Sequence, residues 1–431
     1  MDFVLQRADG SARKVSGYSR SPARADTKRF DVSLDRLPPK VDLRERMTPV
    51  EDQSSTNSCA ANATAGAYEY LMKQHLGDDS YDVSRMFIYY NARAALIEAE
   101  GGELEDQGTT ILSCMSALEQ NGACSEGAWP FVEAQVNEAP DDASYEEARQ
   151  FLIEGFEQVP TDAAAWKTAL AAGYPIIFGL KLFDSFDKQK AKGVVPPPTP
   201  KEAGRESHGG HAMLCVGYSD ADEVFIVRNS WGPGWGDGGY CYVPYRYMMN
   251  PDYNFDDSWV IKKVDVIEGA SSDEAGWGDE GSVLEEVSTA LAQMSDEEWS
   301  ALLDAMGDSP FEQRMAALFL RAAAADGNAS DEELAAIVEN LAPVYAALGI
   351  DLDAERVLRK ASGRIDDDAY VEESIDLLGA HLPNEALGTM LAQLEHVVGA
   401  DGEIAPEEDD FLALLVQRWQ LGSGESAAPE E

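Results

Sequence analysis

Hydrophobic and polar positions follow two different periods in the first part of this chain. Small and apolar residues repeat at helical spacing before Gly173 and Pro175, and shorter apolar runs of strand length follow. The predicted helices cover residues 59–72, 85–97, 108–118 and 161–171, and the predicted strands cover residues 176–180, 212–218, 224–228 and 239–243. Helices followed by strands predict an α+β fold in which two layers face each other across a cleft.

The chain ends in a region with helical spacing throughout. Amphipathic segments cover residues 315–325, 332–341, 371–380, 385–398 and 407–419. A stretch rich in glycine, serine and acidic residues separates this region from the first. The predicted organisation is a basic leader (1–37), an α+β domain (38–267), a linker (268–282), an acidic all-α domain (283–420) and a disordered tail (421–431).

The leader has little apolar periodicity and several basic side chains. Two interpretations remain open for it. It is a disordered terminus, or it is a short pro-segment that crosses the cleft, because its basic charge opposes the acidic body.

Charge is the most unusual bulk property of the chain. It has 431 residues with 79 acidic and 33 basic side chains, a formal net charge of −46. Residues 271–431 hold 37 acidic and 7 basic side chains, or −30, which leaves −16 for the rest. Such a field repels nucleic acid and anionic lipid and favours basic partners, so we expect no nucleic-acid or membrane partner. A surface adapted to solubility or to salt explains the same charge.

Five scattered cysteines and the lack of any Cys-x-x-Cys pair favour a reducing compartment over a disulfide framework or a zinc site. The first residues have no apolar signal-peptide core, and no stretch is long and apolar enough for a membrane span. We therefore expect a cytoplasmic protein with no metal or cofactor, although export without a cleavable signal stays open.

Candidate chemistry begins at Cys59. The run Gln53-Ser-Ser-Thr-Asn-Ser-Cys59 leads directly into a helix of small residues. A cysteine in the first turn of a helix lies at the positive end of the helix dipole, which favours the thiolate. Gln53 could place its amide beside an oxyanion formed on a carbonyl that the sulfur attacks. Alone, such a cysteine is more often a buried structural residue.

A histidine and an asparagine from the strand region supply possible partners. His211 follows two glycines in His208-Gly-Gly-His211-Ala-Met-Leu-Cys-Val-Gly-Tyr218, and Asn229 begins Asn-Ser-Trp-Gly-Pro-Gly-Trp-Gly. Asn229 could accept a hydrogen bond from the His211 imidazole and fix its tautomer, and Trp231 could shield that bond from water. A packed core histidine and a structural glycine-rich turn are the alternative interpretation.

The order Gln53, Cys59, His211, Asn229 resembles the papain-like cysteine peptidases. Asn-Ser-Trp-Gly-x-x-Trp-Gly, Gly-His-Ala and the start Val-Asp-Leu-Arg…Thr-Pro-Val…Gln carry the resemblance over about residues 38–266. Asp106-Gln-Gly-Thr and Asn121-Gly-Ala-Cys…Trp129-Pro-Phe resemble bacterial branches of the family. The resemblance implies a helical left lobe with the cysteine, a β-rich right lobe with the histidine and asparagine, and a substrate cleft between them.

The resemblance also implies roles for single residues. Cys59 is the expected nucleophile, His211 its ion-pair partner and proton donor, and Asn229 the residue that orients His211. Gln53 and the Cys59 backbone N–H are expected to form the oxyanion hole. The substrate-binding residues are expected to be Gly108 for the substrate main chain, Thr109 and Gly210 near the pocket that selects the residue preceding the scissile one, and Trp231.

Two departures from the family stand out. The usual Gly-Ser-Cys-Trp is Asn57-Ser-Cys-Ala60 here, which changes packing under the cleft. The usual large pro-domain is missing, so the leader or the acidic domain becomes the candidate regulator.

The acidic domain contains an internal repeat. Ala325-Asp-Gly-Asn-Ala-Ser-Asp-Glu-Glu recurs as Ala400-Asp-Gly-Glu-Ile-Ala-Pro-Glu-Glu. Each copy is a helix stop followed by a new start, with a capping box at Ser330 and Glu333 and a proline suited to a first turn at Pro406. The repeat resembles the TerB-like tellurite-resistance domain. The acidic spacing is not that of an EF-hand loop, so helix starts explain it better than a cation site.

Three functions remain open from the sequence. The first is a cysteine endopeptidase that hydrolyses a Cys59 acyl-enzyme, with the acidic domain in regulation or in recruitment of a substrate or protein partner. The second is a peptide ligase or transpeptidase that passes the same acyl group to an amine. The third is a catalytically silent binding protein. The complete set of Gln53, Cys59, His211 and Asn229 favours an enzyme.

Overall fold

The computed structural model describes residues 3–24, 27–31, 33–34, 36–76, 82–150, 152–205, 208–264, 276–284, 290–327, 329–402 and 404–421. Within these residues the chain forms a two-lobe α+β unit followed by an all-α unit. No helix among them combines the length and the apolar character that a bilayer crossing needs.

The leader has a defined path over its described residues, so the expectation of a disordered terminus is wrong for them. Strands β1 (Val4–Gln6) and β2 (Ala12–Lys14) form an antiparallel hairpin. Farther on, the backbone N–H of Phe30 donates to the Gln158 carbonyl, and the N–H of Gln158 donates to the Lys28 carbonyl. Main-chain hydrogen bonds therefore attach this part of the leader to β4, and the pattern of side chains in the sequence does not predict such bonds.

Three helices form the left lobe: α1 (Cys59–Leu76), α2 (Arg85–Glu100) and α3 (Ile111–Asn121). Ser84 caps α2 through the Phe87 N–H, and Thr110 caps α3 through the Ser113 N–H. The third helix begins three residues later than predicted, because Gly108 has a φ of +85° and Thr110 is the cap.

An antiparallel sheet forms the right lobe. The short helix α4 (Asp142–Ala148) packs on the left lobe, where the Tyr145 ring meets Phe87 of α2. The strands and short helices of the right lobe are β3 (Lys40–Asp42), β4 (Phe156–Gln158), α5 (Ala163–Ala171), β5 (Ile176–Leu182), α6 (Pro200–Arg205), β6 (Gly209–Ser219), β7 (Val224–Arg228), β8 (Tyr240–Pro244), α7 (Tyr245–Met248), β9 (Asn254–Ile261) and β10 (Trp277–Gly278). The order is β10-β3-β6-β5-β9-β4, with β7 and β8 branching from β6. Strand β6 also packs against α1, which places the seam of the two lobes between them.

Strand β10 corrects one prediction. Residues 268–282 were expected to be a linker, but Trp277 pairs with Val41 and Gly278 with Lys40 at the sheet edge. The part of that linker up to residue 275, and residues 422–431 of the predicted tail, lie outside the described residues.

The C-terminal unit, called the helical domain below, consists of seven helices over its described residues. They are α8 (Asp296–Met306), α9 (Phe311–Ala323), α10 (Asp331–Ala347), α11 (Ala354–Ala361), α12 (Asp368–His381), α13 (Asn384–Val398) and α14 (Pro406–Arg418). The predicted capping box at Ser330 and Glu333 is present, and α14 starts at Pro406. The sequence analysis did not predict α8 and α11. Helix α11 has only eight residues, whereas α8 carries Trp299, Leu302 and Met306 at helical spacing and could have been predicted.

Each unit has its own hydrophobic core. The leader contributes to both, because Leu5, Val15 and Tyr18 pack in the first core while Ala8 packs in the second. The hairpin between them therefore joins the two units.

Candidate active site

Cys59 is the first residue of α1 and is almost fully buried, with 1% of its surface exposed. The loop before it is fastened at both ends. The Gln53 N–H donates to the Ser230 carbonyl at 2.9 Å, and the Asn57 side chain donates to the Asp106 carbonyl at 2.6 Å. The cysteine is thus held at a helix start, where the dipole favours negative charge.

His211 on β6 and Asn229 at the end of β7 are brought together by the pairing of these strands. Nε2 of His211 lies 2.8 Å from Oδ1 of Asn229. Because an amide oxygen can only accept, the imidazole donates through Nε2, and Nδ1 is left as the basic nitrogen of the neutral ring. The Trp231 ring lies 5.1 Å from the imidazole, between centroids, and covers this bond.

Strand β6 also runs past the start of α1. The backbone of Ala212, the residue after His211 on β6, is among the groups that lower the pKa of the Cys59 thiol. Because α1 begins at Cys59 and packs on β6, Cys59 and His211 lie on facing elements at the seam of the two lobes. Cys59, His211 and Asn229 are far apart in the sequence, and the packing of α1 on β6 and the pairing of β6 with β7 bring their elements together.

Burial controls the protonation of this pair. It raises the pKa of Cys59 to about 11, against the lowering effect of backbone N–H groups of Ala212, Ala60 and Cys59. It lowers the pKa of His211 to about 4, against the raising effect of the Asn229 hydrogen bond and with a smaller lowering by Arg13. In this closed arrangement the pair is a neutral thiol and a neutral imidazole.

The amide of Gln53 is buried beside the cysteine loop. Its Nε2 donates to the Thr56 carbonyl at 2.8 Å, and its Oε1 accepts from Ser230 Oγ at 2.6 Å. The amide nitrogen carries two hydrogens, so one remains available to an oxyanion. Sequence reasoning missed Ser230, which orients the amide. Its position directly after Asn229 in the sequence could have indicated that Ser230 lies at the site.

The leader crosses the cleft directly over these residues. The Thr109 N–H donates to the Gly17 carbonyl at 3.0 Å, and the Ser19 N–H donates to the Thr109 carbonyl at 3.2 Å. A Cβ at Gly17 would lie 2.4 Å from the Asn57 carbonyl oxygen, in the loop that ends at Cys59. The leader main chain is therefore in direct contact with the cleft wall at Asn57 and Thr109, and no room for a side chain remains at Gly17.

The predicted substrate-binding residues all lie around this segment. A Cβ at Gly108 would lie 2.2 Å from the Gly17 oxygen, and one at Gly210 would lie 2.8 Å from the Tyr18 oxygen. Trp231 carries the Arg13 guanidinium 4.4 Å above its ring centroid. Gly108, Thr109, Gly210 and Trp231 thus contact leader residues.

Asp106 is a supporting residue whose role the sequence did not reveal. Its carboxylate accepts the Asn57 backbone N–H at 3.0 Å and the Tyr89 hydroxyl at 2.6 Å. The Tyr89 oxygen accepts in turn the Gly108 N–H at 3.0 Å. This chain of bonds fixes the cysteine loop relative to the main-chain-binding edge of the cleft.

A carboxylate cluster lies to one side of the site. Oxygens of Glu51, Glu69 and Asp82 lie within 4.8 Å of one another. Burial is the main cause that raises the pKa of both Glu51 and Glu69. Arg85 Nε lies 2.7 Å from Glu51, and Glu69 accepts the Val83 N–H and the Thr48 hydroxyl. These partners make the cluster a structural network of the left lobe.

Fold and site together define a papain-type two-lobe cysteine peptidase. The profile described as the papain family of cysteine proteases matches residues 37–252, which is half of the chain. The chain belongs to the papain family and is a cysteine protease, a hydrolase. The profile described as the tellurite resistance protein TerB matches residues 312–428.

Individual relatives agree with this assignment. An uncharacterised peptidase C1-like protein of Acanthamoeba polyphaga mimivirus is 34% identical over 224 residues, which are 49% of this chain and 69% of the viral protein. Xylellain, a cysteine protease from Xylella fastidiosa, is 34% identical with a TM-score of 0.52, over 58% of this chain and 97% of xylellain. A probable cysteine protease of Arabidopsis thaliana is 27% identical over 52% of this chain, and the match spans 46% of the plant protein.

Proposed function

We propose that this protein is a cysteine endopeptidase that uses Cys59 as nucleophile, His211 as base and acid, and Asn229 as the residue that orients His211. The observation that carries the proposal is the buried 2.8 Å bond from His211 Nε2 to Asn229 Oδ1, on the strand against which the helix that begins at Cys59 packs. Such an arrangement leaves Nδ1 to take the thiol proton.

The chemistry follows from these positions. Nδ1 of His211 takes the proton from the thiol, and the sulfur attacks the peptide carbonyl. The resulting oxyanion receives hydrogen bonds from the Cys59 N–H and the free N–H of the Gln53 amide. His211 then returns its proton to the leaving amine, and water hydrolyses the thioester with His211 again as base.

Labelling with a vinyl-sulfone peptide tests this assignment on the full chain carrying Gly17→Val, because the added side chain would meet the Asn57 carbonyl and displace the leader from the cleft. We expect one adduct on Cys59, none in Cys59→Ala, and strongly reduced labelling in His211→Ala. Cys114→Ser is the matched control, because Cys114 is buried in α3 of the same lobe and should leave labelling unchanged. An adduct on another cysteine would refute the assignment. Product masses with an added amine then distinguish hydrolysis from transpeptidation.

We further propose that the leader keeps the enzyme latent. Three attachments support this: the hairpin, the segment at Gly17–Ser19 across the cleft, and the pairing of residues 28–30 with β4. With this segment in place Cys59 and His211 are buried, and a substrate main chain has no access to the Thr109 backbone. Activation therefore requires the segment to be displaced or cut.

The helical domain supports latency by holding the tip of the hairpin. Ala8 is 1% exposed within the second core, and its carbonyl accepts the Gln313 Nε2–H at 2.7 Å. Arg356 lies 3.8 Å from the Asp9 carboxylate. On the protease side Arg7 pairs with Asp187 at 3.2 Å. The hairpin is thus clamped between the two units.

Gln313→Ala tests the clamp, since it leaves the buried Ala8 carbonyl without its donor and costs about 1–3 kcal/mol at that contact. We expect faster labelling of Cys59 in Gln313→Ala than in the parent chain. Gln417→Ala changes an exposed glutamine of the same domain and should label at the parent rate. Equal rates in Gln313→Ala and the parent would contradict the clamp.

A further inference from the structure

The leader hairpin ends in a tight turn, Arg7-Ala8-Asp9-Gly10, called the leader tip below. The Gly10 N–H donates to the Arg7 carbonyl at 3.0 Å, and Gly10 has a φ of +81°, which favours glycine. Oδ1 of Asp9 accepts the Ser11 N–H at 2.7 Å and so stabilises the turn. The second carboxylate oxygen, Oδ2, remains for contacts outside the hairpin.

The helical domain contacts the leader tip at two residues with different chemistry. Ala8 lies in the core of the domain, and its carbonyl accepts the Gln313 Nε2–H at 2.7 Å. Because Ala8 is 1% exposed and protein cores are close-packed, a large side chain has no room at this position. Oδ2 of Asp9 lies 3.8 Å from the Arg356 guanidinium. The domain therefore fits a small residue followed by a carboxylate.

Basic residues of the helical domain are concentrated at this contact. Residues 271–431 contain seven basic side chains, and four of them are Arg356, Arg359, Lys360 and Arg364, called the basic patch below. A Cβ at Gly10 would lie 3.6 Å from Lys360 Nζ, so the patch borders the leader tip. In a region with a net charge of −30, this clustering makes the tip contact a local site for negative charge.

The leader tip uses only part of the basic patch. Arg359 is exposed and pairs with Glu355 at 3.3 Å. Arg364 is exposed and pairs with Asp367 at 3.8 Å. Such exposed pairs contribute little to stability, so another carboxylate can replace the present partner. A ligand with more than one carboxylate can therefore make contacts that the leader tip does not make.

We propose that Gln313 and the basic patch form a docking site for a second protein, which presents an exposed tight turn with a small residue followed by an aspartate or glutamate. In this chain the leader tip occupies the site as an internal ligand. The second protein displaces the tip, opens the clamp and activates the peptidase. Because the domain is otherwise acidic, this partner is neutral or basic outside its turn. The docking site does not depend on the catalytic residues, whereas activation rests on the latency proposed above.

A cyclic fluorescent peptide with the sequence of residues 4–14 serves as the probe, and fluorescence anisotropy measures its binding. The full chain carrying Ala8→Trp has a vacant site, because the indole cannot enter the helical core. We expect the probe to bind this variant about tenfold or more tightly than it binds the parent, whose own tip competes. Ala8→Glu replaces Ala8→Trp if the latter does not fold. Equal binding to parent and variant, or no binding to either, would overturn the docking site.

Matched substitutions in the probe and in the vacant chain test the chemistry of the site. A probe with Asp9→Asn should bind about tenfold less tightly or worse, because it carries no charge toward Arg356. In the chain, Arg356→Ala combined with Lys360→Ala should weaken the original probe to the same degree. Arg418→Ala removes a basic side chain that pairs with Asp376 in the same domain and should leave the affinity within about twofold. Equal losses in both chain variants would overturn the site.

Labelling of Cys59 by the vinyl-sulfone peptide tests activation in the parent chain. The probe is added at millimolar concentration, because a tethered segment has an effective concentration of about that order. We expect labelling to become about threefold faster or more with the original probe and to stay unchanged with the Asp9→Asn probe. Binding without faster labelling would overturn the activating role. Absence of Cys59 labelling in Gly17→Val would refute the peptidase assignment and leave the binding results standing.

Light scattering tests whether a second copy of this chain is the natural occupant. We expect the parent chain to be a monomer, because its own leader tip fills the site. A dimer that Arg356→Ala separates into monomers would assign the site to the leader of a second copy. That result would overturn the assignment to a different protein.

Discussion

The two units of this protein each contain a histidine hydrogen-bonded to an asparagine, and the two pairs differ in every property that matters for chemistry. His211 and Asn229 are buried, 2.8 Å apart, under Trp231. His396 and Asn340 connect α13 and α10 at 3.3 Å, with His396 exposed. Water competes for the second bond and has no access to the first.

The difference shows that the residue types alone do not make a site. At the first pair, the pairing of β6 with β7 fixes the backbones that carry His211 and Asn229, and Trp231 excludes water. The helix that begins at Cys59 packs on the same strand β6. At the second pair the same side chains only add a contact between helices. Four predictions test this comparison. Where activity is measured, each substitution is made in the variant Gly17→Val, in which the leader is displaced from the cleft.

Loss of each imidazole gives the largest contrast. His211→Ala should lower kcat by about 10⁴-fold or more, because neither deprotonation of the thiol nor protonation of the leaving amine has another group to perform it. His396→Ala should leave kcat within about twofold, as expected for an exposed side chain distant from the site. Steady-state peptide hydrolysis measures both, and comparable losses would break the comparison.

Loss of each amide gives a smaller contrast. Asn229→Ala should lower kcat by about 10²-fold, since the ring keeps its nitrogen atoms but loses the bond that fixes its tautomer and orientation. Asn340→Ala should again leave kcat within about twofold. A pH–rate profile accompanies the assay, because a change of tautomer should alter the acid limb in Asn229→Ala alone. An unchanged kcat in Asn229→Ala would contradict the proposal that Asn229 orients His211.

The closed parent chain should lose stability as the pH falls. The pKa of His211 is lowered from 6.5 to about 4 by burial, so the unfolded or opened state binds the proton more tightly. Stability due to this group is fully present above pH 6.5 and is lost as the pH falls toward 4, at no more than about 1.4 kcal/mol per pH unit for one proton.

Urea unfolding of the parent, His211→Gln and His396→Gln at several pH values measures this loss. His211→Gln should have a shallower pH dependence than the parent, and His396→Gln should retain the parent's slope. The same linkage predicts faster vinyl-sulfone labelling of Cys59 after brief acidification, because protonation of His211 favours the open cleft. Identical slopes in all three chains would contradict the assignment.

The smallest effect belongs to the exposed pair itself. Asn340→Ala should change the free energy of unfolding by about 0.5 kcal/mol or less, because its side chain is half-buried and its bond to His396 is long and open to water. Urea denaturation measures it. A loss above about 1 kcal/mol would mean that the second pair holds helices α10 and α13 together after all.

Many residues of the candidate site could be predicted from the sequence alone. Cys59, His211, Asn229 and Gln53 stand in motifs whose residue types and order fit few kinds of site, and the glycines at 108 and 210 stand where a main chain must approach closely. Asp257, which is buried and accepts the Tyr18 hydroxyl at 2.6 Å, carried no such signal, since an aspartate in Asn-Phe-Asp-Asp-Ser-Trp on a strand is indistinguishable from a surface residue. Its partner Tyr18 lies at the other end of the protease sequence.

The local patterns by themselves determined the α+β and all-α halves, most helices and the chemical groups available for catalysis, because helix periodicity, capping and side-chain chemistry are properties of neighbouring residues. Tertiary structure alone decided where the leader lies, which carboxylate accepts the Tyr18 hydroxyl and that Ala8 joins the helical core. Those contacts connect residues hundreds of positions apart through backbone bonds and burial. Such contacts leave no period in the sequence, and they exist only once the two cores have formed.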